Sequence, residues 1–530
     1  MKQDHIIQKV FVEITVNNKE KAFSIKENIN SFLSIEVFPK IEKYLNDLED
    51  KLDHHTLQIP RLELNLDVKN SSLNSELKDK IAQLFKEELL EIARPIEISG
   101  QEKESDSKAY LIDNQEKMIQ TFIFFLEKGN MPWWNSDRKE IALLDPTVFN
   151  VLILNNNFQK RITSILSKTN VQERIINQLS NDQIVQLCLS ILKNKELILK
   201  SKELKINLET DAVYLISKLN HTERQIIWRL VLNVVSQHIS SSNIDLREYL
   251  LQQIVKTESF LGGFSQEKKI PQNLKTLVKI FPFIKEDEIF EKIKNKVMNH
   301  SESAKTSIET IGQKHVIVDE NLSKNDDENH LSLNDDHQLS LNDDHQLCLN
   351  DDHQLSLNDD HQLNLNDGYY VQNAGLILIH PFIKTLFEHC DLINLKTKQL
   401  IDPELCAHLL HHIATGKTNA PEYEMVFEKF LCNIPMNHTI NRHIKLSHKH
   451  KIQAKNVIES VQQNWIPMKK SSVELLQNEF FQRSGKLVAT DHDYTLTVEQ
   501  KTQDILLEKL AWGLGLVKLP WQEKFIFVNW

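Results

Sequence analysis

"LSLNDDHQLSLNDDHQLCLNDDHQLSLNDDHQ" occupies residues 331–362, one octad four times over with Cys348 replacing serine in the third copy, and "LNLNDGYY" at 363–370 is a decayed fifth copy. Whether this stretch begins a solenoid, holds metal or only tethers two folded parts decides what kind of fold the chain has. A period of eight is a multiple of two, so every leucine falls on one side of an extended chain, whereas on a helix it would drift. Each octad sets two leucines against five strongly polar residues, too little apolar surface to offset the entropy of ordering the backbone. Asp-Asp-His recurs at Asp335, Asp336 and His337, then Asp343, Asp344 and His345, and onward to His361. Carboxylates and imidazoles together can hold divalent metals. Calcium-binding repeats of this general kind need turn glycines, however, and the octads have none before Gly368. We read 299–370 as a low-complexity tether, ahead of a short β-like stack or a metal site.

The flanks have a different composition. The chain has 530 residues, too many for one core, and 40% of them are hydrophobic. Only 11 Gly and 13 Pro interrupt it, which favours long helical stretches. A formal charge of −11 gives no basic surface for nucleic acid. Cys188, Cys348, Cys390, Cys406 and Cys432 are scattered without CxxC spacing and read as reduced thiols of a cytoplasmic protein. No signal peptide opens the sequence, and no run approaches the ~20 apolar residues that span a bilayer. The expectation is therefore a cytoplasmic protein with no membrane and no nucleic-acid partner.

Periodicity divides the flanks. Residues 1–98 read as a β-α-β-α unit. "VFVEITV" (10–16) and "RLELNLDV" (61–68) alternate like strands, a helical stretch runs from about Lys19 to His54, and 75–93 forms a helix with Leu77, Ile81, Leu84 and Leu89 on one stripe. Residues 99–113, with "SGQEKESDSKA", are a linker. Residues 114–298 form a helical middle opening with "FLEKGNMPWW" (125–134), and Pro146, Pro271 and Pro282 break it into short helices. Residues 371–530 are a C-terminal helical module. "PELCAHLLHHIATG" (403–416) and "VELLQNEFFQRSG" (473–485) are its helices, and "KLVAT" (486–490) with "YTLTV" (494–498) forms a β-hairpin. The fold class is α+β and predominantly helical.

Chemical motifs are weak. His408 and His412 stand four apart near Cys406 and His411, but no HExxH glutamate accompanies them. "GKT" (416–418) lacks the glycine five positions earlier and the preceding strand of a phosphate loop. The basic run "NRHIKLSHKHKIQAK" (441–455) has no interleaved aromatics and reads as a solvated connector at a helix start. We expect no catalytic residue, no cofactor and no metal site.

One resemblance is specific. "NAGLILIHPF" (373–382), "AHLLHHIATG" (407–416), "PEYEMVFEKFLCNIP" (421–435), "SSVELLQNEFFQRSGKL" (471–487) and "LVKLPWQEKFIFVNW" (516–530) resemble, in order and spacing, the contractile injection system tape measure protein family. "IIQKVFVEITV" (6–16), "IPRLELNLDV" (59–68) and "FLEKGNMPWW" look like that family's opening. Leu475 stands where the pattern has glycine, and Asn529 where an acidic residue is usual. The resemblance implies a bacterial phage-tail-like particle, in which such a protein sets or permits inner-tube length during cytoplasmic assembly. It also implies baseplate and inner-tube partners, and self-association in the tube lumen. The alternatives are a baseplate-associated assembly factor or cap without ruler function, or a His/Asp-repeat protein binding divalent metal. Candidate partner-contact or core anchors are Trp133, Trp134, His380, Trp512, Trp521 and Trp530. One helix of all 530 residues would span about 800 Å at ~1.5 Å per residue. The segment 299–370 pulled straight would give roughly 230 Å at ~3.3 Å per residue.

Overall fold

The computed structural model describes residues 5–16, 18–49, 55–67, 73–98, 110–135, 142–193, 206–240, 245–257, 272–292 and 368–530. Residues 331–362 and most of the expected linker lie outside these. The chain divides into a unit comprising 1–286 with 361–530 and a second comprising 287–360.

Its N-terminal part is a helix pair. α1 (Lys19–Phe32) starts where the Asn18 side chain accepts from the backbone N–H of Glu20 at 2.8 Å. It passes through a π turn (Leu33–Val37) into α2 (Phe38–Glu49). Pro39 explains the turn, because its missing N–H interrupts the α ladder there. Phe32, Val37 and Ile41 pack against Leu77, Ile81 and Phe85 of α3 (Ser75–Ile98), and Lys40–Asp79 and Lys78–Glu36 ion pairs flank the seam. The strand expectations in this region are corrected. Residues 10–16 and 61–67 belong to no strand, and the described pairing is between β1 (Thr56–Gln58) and β2 (Tyr110–Ile112), antiparallel with Leu57 opposite Leu111. Three of the residues read as linker thus carry a strand.

The middle consists of short capped helices: α4 (Asn114–Lys128), α5 (Pro146–Ile153), α6 (Asn156–Ile165), α7 (Thr169–Gln178), α8 (Asn181–Lys193), α9 (Thr210–Ser217), α10 (His221–Ser240), α11 (Leu246–Lys256) and α12 (Gln272–Ile280). Asp113, Asp145, Asn155 and Asp245 each cap a following helix through a side-chain oxygen. Pro146 opens α5, at the position where its missing N–H costs nothing. The Phe122 ring packs on Phe149 and Phe158 at 5.9 and 5.7 Å, and Trp228 of α10 is fully buried.

The C-terminal module opens with β3 (Tyr369–Val371), which includes two tyrosines read as repeat, followed by a 3-10 turn (Ala374–Ile379). Around it pack α13 (His380–His389), α14 (Pro403–Thr415), α15 (Val426–Leu431), α16 (His448–Asn464) and α17 (Val473–Leu476), the last running into a π turn (Gln477–Phe481). Gly416 closes α14 with φ +70, the left-handed cap that glycine adopts without strain. The expected hairpin is β4 (Gly485–Ala489) and β5 (Tyr494–Val498), with Leu487 opposite Leu496. β6 (Leu516–Val517) and β7 (Ile526–Asn529) complete a five-stranded sheet of order β3-β4-β5-β7-β6, antiparallel except where β7 joins β5. Leu487, Ala489, Leu496, Val498, Ile526 and Val528 alternate inward to the core. The chain is α+β and predominantly helical. Among the described residues no helix is long and apolar enough to cross a membrane.

Candidate functional site

The middle helices and the C-terminal module meet around three buried charges. α7 places Arg174 and Gln178 one turn apart, on a face turned toward residues 422–442. Arg174 and Glu422 are both fully buried, and Arg174 Nε donates to Glu422 Oε2 at 3.1 Å. The other carboxylate oxygen, Oε1, accepts from Lys429 Nζ at 2.7 Å. One carboxylate thus serves two cations, and four further donors go to backbone carbonyls. Arg174 Nη1 reaches Leu126 O at 2.5 Å and Nη2 reaches Asn437 O at 3.1 Å; Lys429 Nζ reaches Met436 O at 3.0 Å and His438 O at 2.5 Å. Burial holds Lys429 below the usual lysine range, while Glu422 pulls the other way.

Neutral groups extend the lock. Gln178 donates to Ile440 O at 2.8 Å and accepts from Glu422 N at 2.9 Å, and the Arg442 N–H donates to Asn177 O at 3.1 Å. The Tyr423 ring meets Phe125 edge-on at 5.0 Å. Gly129 closes α4 directly against the pair, with φ +83. A Cβ there would stand 2.5 Å from Glu422 Oε1 and 2.8 Å from Arg174 Nη2. The "FLEKGNMPWW" and "PEYEMVFEKF" stretches, nearly three hundred residues apart, therefore lie side by side.

Two satellite clusters stiffen the module itself. Glu428 Oε1 accepts from Asn373 Nδ2 at 2.7 Å and from His411 Nδ1 at 2.9 Å, joining three of the quoted motifs. The guanidinium of Arg483 donates to Asp504 Oδ1 at 2.8 Å and Glu499 O at 2.9 Å, with the Phe480 and Trp530 rings at 5.6 and 5.9 Å. These arrangements fix geometry; they present no nucleophile beside a base in an open cleft. A groove of about 710 Å³, bordered by Asp67, Glu76, Asp79 and Lys80, lies along α3 and shares no residue with the network.

The tryptophans expected from sequence divide into two kinds. Trp521 is buried and donates to Leu431 O at 2.7 Å, against the Phe387 ring at 5.3 Å. Trp512 donates to Leu378 O at 3.0 Å and meets Phe382 at 5.3 Å. Both have the surroundings of core anchors. Trp530 covers Arg483. Trp133 and Trp134 are half-buried, edge-to-face at 5.6 Å, with Trp134 on Phe124 at 6.0 Å. His380 starts α13 with Nδ1 3.1 Å from Ile377 O, and burial lowers its pKa. His408 and His412 do not converge. The first bonds Asn441 O at 2.8 Å, and the second bonds Lys417 O at 3.2 Å.

Sequence reasoning passed over Arg174, Glu422 and Lys429. The available signal was a pair of charges inside an apolar run, Glu428 and Lys429 in "VFEKFL" (426–431), where every residue is buried.

A family model described as "Contractile injection system tape measure protein" matches residues 4–530, including the stretch between the 125–134 and 373–382 motifs. No curated protein and no solved structure matches the chain.

Proposed function

The chain belongs to the contractile injection system tape measure protein family, and we propose that it acts in inner-tube assembly as a folded body, not as an unravelled ruler. The observation that carries this reading is the Arg174–Glu422–Lys429 network. A ruler using the length of the middle helices needs α4–α12 to unpack. That would strip the carboxylate from two buried cations, a change of the kind that costs about 3–5 kcal/mol for one buried pair. In this reading the partners are baseplate and inner-tube proteins, engaged during cytoplasmic assembly. The octads at 331–362 are a tether whose length the particle does not read, and no step is catalytic. Half-buried Trp133 and Trp134 are the contact anchors we favour, since tryptophan is enriched among the residues that carry binding energy at interfaces.

The test is electron microscopy of particles made with 331–362 deleted or doubled, beside a strain lacking the gene. Unchanged tube lengths in the repeat variants, with absent or disordered tubes in the null strain, are expected. Length changing in proportion to the repeats would overturn the reading and make the octads part of a ruler.

A further inference from the structure

Residues 6–16, "IIQKVFVEITV", hold large apolar side chains in water. Ile6, Ile7, Val10, Val12 and Ile14 are 41–49% exposed and Phe11 is 81% exposed. The segment has the composition and period of a strand, yet neither described sheet includes it. An exposed run of this kind is a template for another strand.

Its sequence names the partner, because it is self-complementary about Phe11. Suppose the segment runs antiparallel to the same residues of a second copy, centred on Phe11. On one face Lys9 then meets Glu13, Glu13 meets Lys9, Phe11 meets Phe11 and Ile7 meets Thr15. On the other, Val10 meets Val12, Gln8 meets Ile14 and Ile6 meets Val16. Two opposite-charge pairs thus bracket an aromatic pair, over an apolar reverse face. Parallel in-register pairing would instead set Lys9 on Lys9 and Glu13 on Glu13, which like-charge repulsion disfavours. A two-fold axis through Phe11 gives the isologous contact of most homodimers.

We propose that residues 6–16 form a two-stranded antiparallel ladder with the same residues of a second copy, making the protein a two-fold dimer. This stands independently of the assembly reading, since it concerns the purified chain.

The experiment is sedimentation equilibrium on the full-length protein. Lys9→Glu or Glu13→Lys alone turns both ion pairs into like-charge pairs and should weaken dimerisation on the order of tenfold. The double exchange K9E/E13K should restore it. Exposed positions make these variants safe for folding, which circular dichroism checks. In a Cys348→Ser background, Phe11→Cys should form an intermolecular disulfide, and Glu13→Cys should not, because its symmetry mate lies four residues along the partner strand. A monomer at every concentration overturns the proposal. So does a double exchange that fails to rescue, or a Glu13→Cys disulfide forming as readily as the Phe11→Cys one.

Discussion

Glu422 stands between Arg174 and Lys429, with a different oxygen bonded to each. Glu422→Gln removes the charge and keeps the shape, leaving two buried cations without a counter-ion. We expect a loss of about 3–5 kcal/mol, read as a lower denaturation midpoint. Arg174→Met with Glu422→Gln and Lys429→Met, which discharges the site, should recover much of that loss. Gly129→Ala acts on the same spot from the backbone. It forces a side chain into φ +83 and a Cβ into the ion pair, and should cost about 2 kcal/mol or more by the same assay. The pH dependence has a clear sign. Burial lowers His408 from 6.5 to about 4, and His221, His380 and His443 are lowered for the same reason. Between about pH 6.5 and 4 the unfolded chain takes up a proton at His408 that the folded chain refuses, so stability falls as pH falls through that window. The loss from His408 is on the order of 3 kcal/mol. Glu404, raised by burial, works in the opposite sense at its own titration. Melting temperature against pH should therefore decline toward pH 4, and His408→Gln should flatten the decline.

Several helix ends in this chain follow local chemistry and were legible, but the helix read to Gly485 ends in a π turn at Phe481, and Gly485 opens β4. Asp402 caps α14 by accepting from Leu405 N–H at 3.0 Å, and Asp402→Ala should cost about 1 kcal/mol in thermal unfolding. Gly129 and Gly416 mark the other ends, and the 486–498 hairpin could be read from two alternating runs around a short polar turn. Strands in the N-terminal part could not. "VFVEITV" and "RLELNLDV" have the strand period, but a period states only that two faces differ, and pairing needs an edge that the local sequence does not name. The true pairing joins Thr56–Gln58 to Tyr110–Ile112, across more than fifty residues. The lock was hidden for a related reason. Arg174 and Glu422 are 248 residues apart, and each alone resembles a solvated charge on a helical or polar stretch.

At the scale of the molecule, α7 and residues 422–442 join the middle and the C-terminal module through the Arg174 and Gln178 side chains and the bond from Arg442 N–H to Asn177 O. A site for a sequence-specific protease placed within 331–362 should therefore be cleavable without separating the halves in non-denaturing chromatography. The same cut in the Glu422→Gln chain should release them more readily. The entry into the C-terminal sheet adds a mechanical property. Gly368 leads into β3, an edge strand, so tension arriving from residues ahead of it loads one end of the β3–β4 ladder and opens its bonds in sequence. Behind the ladder the load meets Asn373, clasped by Glu428, and then six buried residues, Ala374–Ile379. Gly375 lies so close under the Phe480 carbonyl that no side chain would fit. There the resistance is shared among many contacts at once. A pull on residue 368 should open the three-residue β3–β4 ladder at lower force than the Asn373–Ile379 segment behind it, as two separate events in single-molecule force spectroscopy of the full chain.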